Sequence, residues 1–303
     1  MSETQKTEAQ EAESRFKVSD QQMDDIIFGF CNDLTYKVRL GKTDPVIGRD
    51  AEIDTIITVL LQRGRSNVVL LGRAGVGKTA VFLGFARALV YEPMPKLLRD
   101  ARAVEIDFAA MAAGTHSRSE FEGRIIPLIK GTAERNAIKG RPKIILCMDE
   151  LHTTSRASSA SSASGIIDVM KPYLTEGSLR VIGATTELEY NQFLKIDQAV
   201  DRRFQKIFLR EPDLLETVNI LKGLRGGYER HFEIKISDEA VEKIVHLTDV
   251  YMRHRSNPDK SLMIMDAACA LCIRFNEEAT ELDNLSIVKT IAVEVNMPPT
   301  AIE

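Results

Sequence analysis

The sequence predicts an α/β fold, with a five-stranded parallel sheet covered by helices on both faces and a small C-terminal helical domain. Five short apolar segments alternate with helical patterns, which is typical of a parallel sheet buried on both faces. These segments are residues 67–71, 103–108, 143–148, 179–185 and 205–210. After Asp213 the strand patterns stop and four helical segments follow. A glycine-rich stretch directly after the first strand adds a third indication, a phosphate-binding turn between a strand and a helix.

The N-terminal region divides into a polar tail and a helical segment. Residues 1–15 are rich in Glu, Gln and Thr and contain no large apolar residue, so we expect a disordered tail. Ser19 and Gln22 form a capping-box pattern, and apolar residues at helical spacing follow as far as Leu34. The predicted domains are therefore the tail over 1–15, a large α/β domain with this N-terminal helix over 16–211, and a small helical domain over 212–303.

The composition is that of a globular protein in a reducing compartment. The chain has 303 residues, of which 44% are hydrophobic and 28% charged, and its four cysteines are too few for a disulfide scaffold. A formal net charge of −4 argues against nucleic acid as the main partner. No apolar segment approaches the roughly 20 residues that span a bilayer, and the N-terminus lacks the apolar region of a signal peptide. We therefore expect a cytoplasmic protein without membrane insertion.

Two local patterns are interpreted as structural. Cys269 and Cys272 form a C-x-x-C pattern inside an apolar helical segment, and no second cysteine or histidine pair accompanies them. We interpret both as small core residues rather than as a redox or metal pair. The Ser- and Ala-rich tract over 153–165 has nothing to bury, so we expect a mobile loop there.

The stretch GRAGVGKTA, residues 72–80, is a candidate phosphate-binding loop. It contains the pattern G-x-x-x-x-G-K-[ST], and the flanking strand and helix favour this interpretation over a glycine turn without a ligand. Glycines allow backbone N–H groups to turn toward phosphate oxygens, and the positive end of the next helix adds to the attraction. We predict that Lys78 contacts the β- and γ-phosphates and that Thr79 ligates Mg²⁺. The predicted nucleotide-binding residues here are Gly75, Val76, Gly77, Lys78, Thr79 and Ala80.

Two carboxylates follow the apolar strand IILCM. Asp149 lies at the strand end, where it can hold Mg²⁺ through its water shell, so we predict it as the second metal-site residue. Glu150 is the candidate catalytic base, because a carboxylate there can orient and deprotonate a water for attack on the γ-phosphate. The alternative is that both groups only solvate a strand end. The phosphate loop makes the catalytic interpretation the better one, with ATP or ADP and Mg²⁺ as the expected cofactors.

The chain resembles the first ATPase module of Clp-type AAA+ unfoldases and disaggregases. Eight segments match in order and spacing, from about residue 34 to about residue 299. They are DPVIGRDAEI, LLGRAGVGKTA, EFEGRI, MDELHTT, VIGATTELEY, DRRFQKIFLREP, ILKGLRGGYERHF and NPDKSL. The resemblance implies an AAA+ P-loop NTPase fold and ATP hydrolysis.

The resemblance also implies roles for individual residues. Thr186 matches the sensor that forms a hydrogen bond near the γ-phosphate and the attacking water, and Lys260 falls near the second sensor. The residues expected to enclose adenine are Val46 and Ile47 on one side and Ile220 and Pro258 on the other.

A ring is the oligomer that the resemblance implies. Arg202 and Arg203 match the arginine fingers, which in this family reach the nucleotide of the neighbouring subunit. Guanidinium groups there stabilise the charge of the transition state. A pair of arginines on a solvated strand edge is the alternative. Since fingers of this kind act in trans, we expect a homo-oligomeric ring, hexameric by analogy with the family.

The chain departs from the family at the loop that lines the ring pore. Clp unfoldases carry an aromatic residue there, usually Tyr, and Ser117 stands at that position. An aromatic side chain grips a threaded polypeptide through its bulk and contact area. His116, Ser117 and Arg118 offer little of that, so either another residue grips or the ring does not thread chains strongly.

The segments flanking the module also differ from the larger relatives. The sequence contains neither a second ATPase module nor the coiled-coil insertion and N-terminal recruitment domain of those relatives. Because the chain starts with Met1 and a polar tail, we expect a single-module protein rather than a fragment.

Three functions compete at this stage. The first is an ATP-driven motor that remodels a protein partner or assembly. The second is an assembly or scaffold ATPase of a multiprotein machine, such as a secretion system, that changes the shape of a dedicated partner without threading it. Ser117 and the missing recruitment domain favour this second function. The third, a nucleic-acid-loading AAA+ protein, is disfavoured by the acidic charge balance.

Overall fold

A six-stranded β-sheet forms the centre of the α/β part of the chain. The computed structural model describes residues 19–152 and 165–302, so the predicted tail and nearly all of the predicted Ser/Ala loop lie outside the described residues. The strands are β1 (Cys31–Asp33), β2 (Asn67–Leu71), β3 (Arg102–Ile106), β4 (Ile144–Met148), β5 (Val181–Thr185) and β6 (Phe204–Phe208). Their order in the sheet is β1-β3-β4-β5-β2-β6, and β3, β4, β5 and β2 pair in parallel.

Strand β1 corrects the prediction of five strands. It pairs antiparallel with β3, and Cys31 lies opposite Ile106. The predicted helix ends at Phe30 instead of continuing to Leu34, and Asp33 accepts a hydrogen bond from the backbone of Tyr36 to begin the next helix. Pairing with the otherwise open edge of β3 therefore overrides a helical apolar pattern. The sheet is mixed, with mostly parallel strands.

Helices accompany the strands along the chain. Strands β2, β4 and β5 are buried at every position, which requires cover on both faces because successive side chains point to opposite sides. The helices are α1 (Asp20–Phe30), α2 (Leu34–Arg39), α3 (Asp50–Leu60), α4 (Lys78–Tyr91), α5 (Phe108–Ala112), α6 (Arg118–Ala137), α7 (Ile166–Glu176), α8 (Glu187–Glu189) and α9 (Gln198–Asp201). A π-helical turn, Tyr190–Leu194, follows α8 directly.

Ion pairs fasten helix α1 to the sheet domain. The predicted capping box is confirmed, since Ser19 and Gln22 exchange backbone and side-chain hydrogen bonds. Asp20 accepts hydrogen bonds from Arg135 and Arg141, each at 2.9 Å. Asp24 pairs with Arg102 of β3 at 2.7 Å. These pairs are partly exposed, so each contributes little to stability.

The C-terminal part is helical, as the sequence predicts. Its apolar side chains form a core of their own, which includes Leu221, Ile244 and Met265. Cys269 and Cys272 lie in this core, and burial raises the pKa of Cys269 to about 12, which confirms them as core residues. The helices are α10 (Leu214–Phe232), α11 (Asp238–Tyr251), α12 (Asp259–Phe275) and α13 (Asn284–Glu294).

The described residues group into two compact units. The first unit comprises those within Met1–Lys42, Ala51–Leu71 and Phe82–Ile207. The second unit comprises those within Thr43–Asp50, Gly72–Val81 and Phe208–Glu303. The glycine-rich loop thus groups with the C-terminal helices. Across the described part of the chain, no helix is long and apolar enough to cross a membrane.

Candidate nucleotide site

The glycine-rich loop of the second unit adopts a backbone conformation that glycine favours. It follows β2 in the chain and ends where α4 begins, at Lys78. Gly75 and Gly77 have φ angles of +81° and +92°. A Cβ atom on Gly75 would lie 2.9 Å from the Cβ of Asp259, at the start of α12. The loop therefore needs glycine at position 75 both for its φ angle and for this close approach.

Lys78 folds back over the loop. Its Nζ donates hydrogen bonds to the carbonyl oxygens of Gly72 and Arg73, both at 2.9 Å. Thr79 and Ala80 lie in the first turn of α4, where both are exposed, whereas Val76 is buried. The ammonium group of Lys78 and the first turn of α4 therefore present positive charge and N–H donors at the same loop.

Arg49 supports the glycine-rich loop through hydrogen bonds to backbone carbonyls, and the sequence did not predict this role. The residue is only 7% exposed, and its guanidinium donates hydrogen bonds to the carbonyl oxygens of Val76 (2.7 Å) and Arg210 (3.2 Å). These bonds fix the Val76 carbonyl, and with it the peptide plane that carries the Gly77 N–H. The segment VIGRD contains the relevant residue, but nothing local predicts which carbonyls a buried arginine reaches.

Ile47 packs against the face of α10 that also carries Ile220, and both residues are predicted to enclose adenine. The Cδ1 atom of Ile47 overlaps the position that a Cβ on Gly223 would take. Ile220 is one turn earlier on the same helix face and is buried. Val46 lies in the same unit and is half-buried, and Pro258 is the N-cap of α12. Ile47 can approach α10 this closely only because residue 223 has no side chain.

Glu211 joins the glycine-rich loop to the segment before Pro258. Its carboxylate accepts a hydrogen bond from the backbone of Asn257 at 2.7 Å and lies 3.5 Å from the guanidinium of Arg73. Lys260, expected near the second sensor, is 3% exposed and approaches the carbonyl of Met252 (3.5 Å) and Asp249 (3.8 Å). The residue of α12 that touches the loop is instead Asp259, whose N–H lies 3.4 Å from the Gly75 carbonyl.

We expect Gly223→Ala to weaken nucleotide binding. The new methyl group would displace Ile47, and overpacking of this kind costs about 1–3 kcal/mol. If this cost falls on the nucleotide site, the Kd for ATP rises about five- to 150-fold. Gly226→Ala on the same helix is the matched control, because a Cβ there meets only Arg230 Nη1 at 3.5 Å. Titration with a fluorescent ATP analogue measures both. Equal affinities of the two variants for ATP would mean that Ile47 does not line the base pocket.

In the first unit, the acidic pair has a strained backbone. Asp149 follows β4, and its Oδ1 accepts a hydrogen bond from the backbone N–H of Glu150 at 2.8 Å. Glu150 has φ +49°, a conformation that costs an ordinary residue roughly 1–2 kcal/mol. The next residue, Leu151, donates its N–H to the carbonyl of Ala184 and packs over Gly183 of β5. These contacts hold the exposed Glu150 side chain at the end of the sheet, where strain of this kind is typical of functional sites.

Thr186 belongs to a hydrogen-bond network centred on Glu189. The Oε2 atom of Glu189 accepts from the Thr186 hydroxyl (2.8 Å), the Thr186 N–H (3.1 Å) and the Thr185 hydroxyl (3.0 Å). His152 Nδ1 lies 3.0 Å from the Thr185 hydroxyl and 3.2 Å from Glu189 Oε2. Burial raises the pKa of Glu189, but the hydrogen bonds from Thr186 and Thr185 outweigh it and lower the pKa overall. The network ties the segment after Glu150 to the predicted sensor.

The two predicted arginine fingers differ in their surroundings. Arg202 is exposed, and its carbonyl accepts a hydrogen bond from Arg65 Nε at 3.2 Å. Arg203 is half-buried and donates from Nη1 to the carbonyl of Gly64 at 3.3 Å. Arg202 is therefore the better candidate for a contact with another subunit, whereas Arg203 also contributes to the local fold.

Side chains hold both ends of α9, the helix that precedes the arginines. At its start, Asp197 accepts hydrogen bonds from the backbone of α9 and pairs with Lys171 of α7 at 2.5 Å. At its end, Asp201 accepts from the hydroxyl of Tyr190 and pairs with Lys206, both at 2.8 Å. The position of the arginines is therefore set by contacts from three other segments.

The predicted site residues thus fall into two sets. The second unit contains the loop residues and those expected around adenine, and the structure brings Ile47 and the face of α10 together there. The first unit contains Asp149, Glu150, Thr186 and the two arginines. Within this unit, His152 and Glu189 connect the segment after Glu150 to Thr186.

Comparisons with known proteins identify a family for both the α/β part and the helical part of the chain. Residues 68–212 match the ATPase family associated with various cellular activities (AAA), and residues 213–297 match the AAA lid domain. The chaperone protein ClpB of Aquifex aeolicus is 44% identical over 232 residues, which are 77% of this chain and 22% of that protein. The ClpC ATP-binding subunit of the ATP-dependent Clp protease of Staphylococcus aureus is 43% identical over 236 residues, which are 78% of this chain and 28% of that protein.

Solved structures of Hsp104 have the same fold. The Saccharomyces cerevisiae Hsp104–ADP complex matches with a TM-score of 0.81 and 33% identity, over 91% of this chain and 46% of that one. The closed state of Hsp104 with ATPγS and FITC casein matches with a TM-score of 0.80 and 35% identity, over 92% of this chain and 47% of that one. The chain thus spans less than half the length of these relatives.

Together, the sheet, the glycine-rich loop and the helical lid define a P-loop ATPase module of the AAA+ class. More particularly, the chain belongs to the Clp-type AAA+ ATPases, as the ClpB, ClpC and Hsp104 matches indicate.

Proposed function

We propose that the protein is a ring-forming ATPase that couples ATP hydrolysis to the remodelling of a protein partner or assembly. The observation that carries the proposal is the glycine-rich loop, whose Gly75 and Gly77 have positive φ angles and which begins a helix at Lys78. A cradle of this kind fits the phosphates of a nucleotide. The closed state of Hsp104 was reconstructed together with FITC casein, which supports a protein as the partner of this module as well.

The expected cofactor is ATP with Mg²⁺, which the residues of the glycine-rich loop and Asp149 suit chemically. Thr79 would supply a hydroxyl ligand and Asp149 a carboxylate, since Mg²⁺ typically takes one or two such protein ligands and completes its shell with phosphates and water. Lys78 neutralises charge on the β- and γ-phosphates. The metal contributes charge neutralisation when it is bound.

Hydrolysis then depends on two side chains of the first unit. Glu150 orients a water and takes its proton, and its constrained backbone fixes the point from which the side chain extends. Thr186 is the sensor of the γ-phosphate, and to donate a hydrogen bond there its hydroxyl has to turn away from Glu189, to which it donates at 2.8 Å.

The proposed ring follows from the position of the arginines. Arg202 is exposed at the end of a helix that is held at both ends, which suits a group offered to another subunit. A hexamer is the proposed assembly, by analogy with the family. Mass photometry with ATP and without it tests this directly, and a monomer in both conditions would contradict the ring.

The second candidate function is an assembly ATPase that does not thread its partner. The observation that favours it is Ser117, which occupies the place of the pore aromatic and begins α6 as its N-cap. The Ser117 Oγ accepts the Glu120 N–H at 3.3 Å, and the carboxylate of Glu120 accepts the His116 N–H at 2.8 Å. A side chain committed to a helix cap offers little surface for gripping a polypeptide.

An unfolding assay separates the two functions. For a threading motor, the protein with ATP should unfold a tagged fluorescent reporter, and Ser117→Tyr should increase the rate about tenfold even though it removes a cap worth about 1 kcal/mol. Ser119→Tyr, two residues further along the exposed first turn, controls for a general effect of tyrosine. ATPase activity without unfolding in any variant would favour the assembly ATPase.

A further inference from the structure

We propose that Tyr190 is a positioning residue that couples the sensor loop after β5 to the arginines at the end of α9. Its side chain is 2% exposed, and its hydroxyl donates a hydrogen bond of 2.8 Å to Asp201. Asp201 is the last residue of α9 and directly precedes Arg202. The inference rests on the proposed role of Arg202 as a finger that acts in trans.

The other end of the coupling is the sensor loop. The backbone N–H of Tyr190 donates to the Thr186 carbonyl at 3.0 Å. Its neighbour Glu189 binds the hydroxyl and the N–H of the same threonine and lies 3.2 Å from His152, two residues beyond Glu150. The dipeptide Glu189–Tyr190 therefore contacts the sensor through one residue and the arginine-bearing helix through the other.

The contacts around the Tyr190 hydroxyl make this connection stiff. Lys206 Nζ lies 2.8 Å from the same Asp201 oxygen and 4.9 Å from the centre of the Tyr190 ring. Burial, together with the hydrogen bond to Asp201, raises the pKa of Tyr190, so its hydroxyl stays protonated and donates to a carboxylate. A buried donor and a charged acceptor resist separation. A shift of Thr186 is thus carried to Arg202 rather than absorbed between them.

This arrangement makes the coupling run from the nucleotide site of one subunit to that of its neighbour. The sensor reports on the nucleotide of its own subunit, whereas the finger acts on the nucleotide of a neighbour. Tyr190 therefore links the state of one site to the catalytic competence of the next. Asp197 and Lys171 hold the opposite end of α9, so loss of the Tyr190 hydroxyl should loosen the helix end without releasing the whole helix.

The first test removes only the hydroxyl. Tyr190→Phe should lower kcat for ATP about tenfold, because small misplacements of a catalytic group cost this much or more, and it should leave the Kd for ATP within about twofold. The matched control is Tyr91→Phe, which removes a hydroxyl that donates to the carbonyl of Val38 at 3.3 Å in the same unit. Tyr190→Phe should lower the thermal unfolding midpoint more than Tyr91→Phe, because its hydroxyl is buried against a carboxylate, but both variants should remain folded at the assay temperature. A kcat for Tyr190→Phe equal to that of Tyr91→Phe would overturn the proposal.

The second test asks whether the defect lies in the finger. Glu150→Gln subunits are expected to hydrolyse ATP very slowly but to offer intact arginines, so Tyr190→Phe subunits mixed into an excess of them should regain turnover. The reference is wild-type protein diluted into the same excess, and turnover per active subunit should approach that reference. Turnover that stays at the level of Tyr190→Phe alone would mean that the residue acts on its own site, and the proposal would fall.

A parallel mixture separates this failure from failure of the proposed function. The double variant Arg202→Ala, Arg203→Ala is mixed into the same excess of Glu150→Gln subunits. If the double variant regains ATP turnover and Tyr190→Phe does not, only the proposed role of Tyr190 is wrong. If neither recovers, the arginines do not act in trans, and the proposed ring mechanism is overturned together with the coupling.

Discussion

Glu150→Gln is expected to bind ATP with nearly unchanged affinity and to hydrolyse it about 10²–10⁴-fold more slowly. The amide keeps the size of the side chain but cannot accept the proton of the attacking water. The backbone of Glu150 is held by the Asp149 carboxylate and by the contact of Leu151 with β5, so the substitution should change chemistry rather than shape. Steady-state phosphate release and equilibrium nucleotide binding measure the two quantities separately.

The control for this experiment is Glu92→Gln, an exposed glutamate one residue beyond α4. It removes the same charge and should leave both turnover and binding unchanged. If Glu150→Gln hydrolyses ATP at a rate within a few-fold of the control, the catalytic base must be another group. Loss of ATP binding in Glu150→Gln would point to a structural role instead.

Features of the fold that depend on local sequence could be predicted. The helical segments after Asp213 and the capping box at Ser19 are encoded in short patterns, and the structure has both. Strand β1 could not be predicted, because its three residues pair with β3 far along the chain and their own pattern continues a helix. The edge of a sheet attracts a pairing partner that local propensity does not reveal.

The candidate site divides in the same way. A glycine-rich loop and an acidic pair after a buried strand are local patterns with a chemical meaning. The supporting contacts of Arg49, Glu211 and Asp259 join residues far apart in sequence, and no spacing rule predicts them. Glu189 is an intermediate case: the pattern from Thr186 to Glu189 is a capping box that the sequence contains, but its bond to the Thr185 hydroxyl and its contact with His152 emerge only in the fold.

Arg202→Ala is expected to reduce ATP turnover by about 10³-fold or more while leaving the Kd for ATP within a few-fold, because arginine fingers act mainly on the charge of the transition state. Arg203→Ala should also lower turnover, but with some loss of stability, since its guanidinium binds the Gly64 carbonyl. Single-turnover hydrolysis and thermal unfolding distinguish the two effects. Arg65→Ala is an informative comparison, because it removes a contact to the Arg202 carbonyl and leaves both candidate fingers in place.

The dependence of ATP turnover per subunit on oligomeric state decides whether these arginines act in trans. Wild-type turnover per subunit should fall as the protein is diluted below its assembly concentration, because each site then loses the arginine of its neighbour. Arg202→Ala should already show the low turnover of the diluted protein at high concentration, and dilution should lower it little further. A wild-type rate per subunit that stays constant while mass photometry records dissociation would contradict the assignment, since a finger within one subunit does not depend on a neighbour.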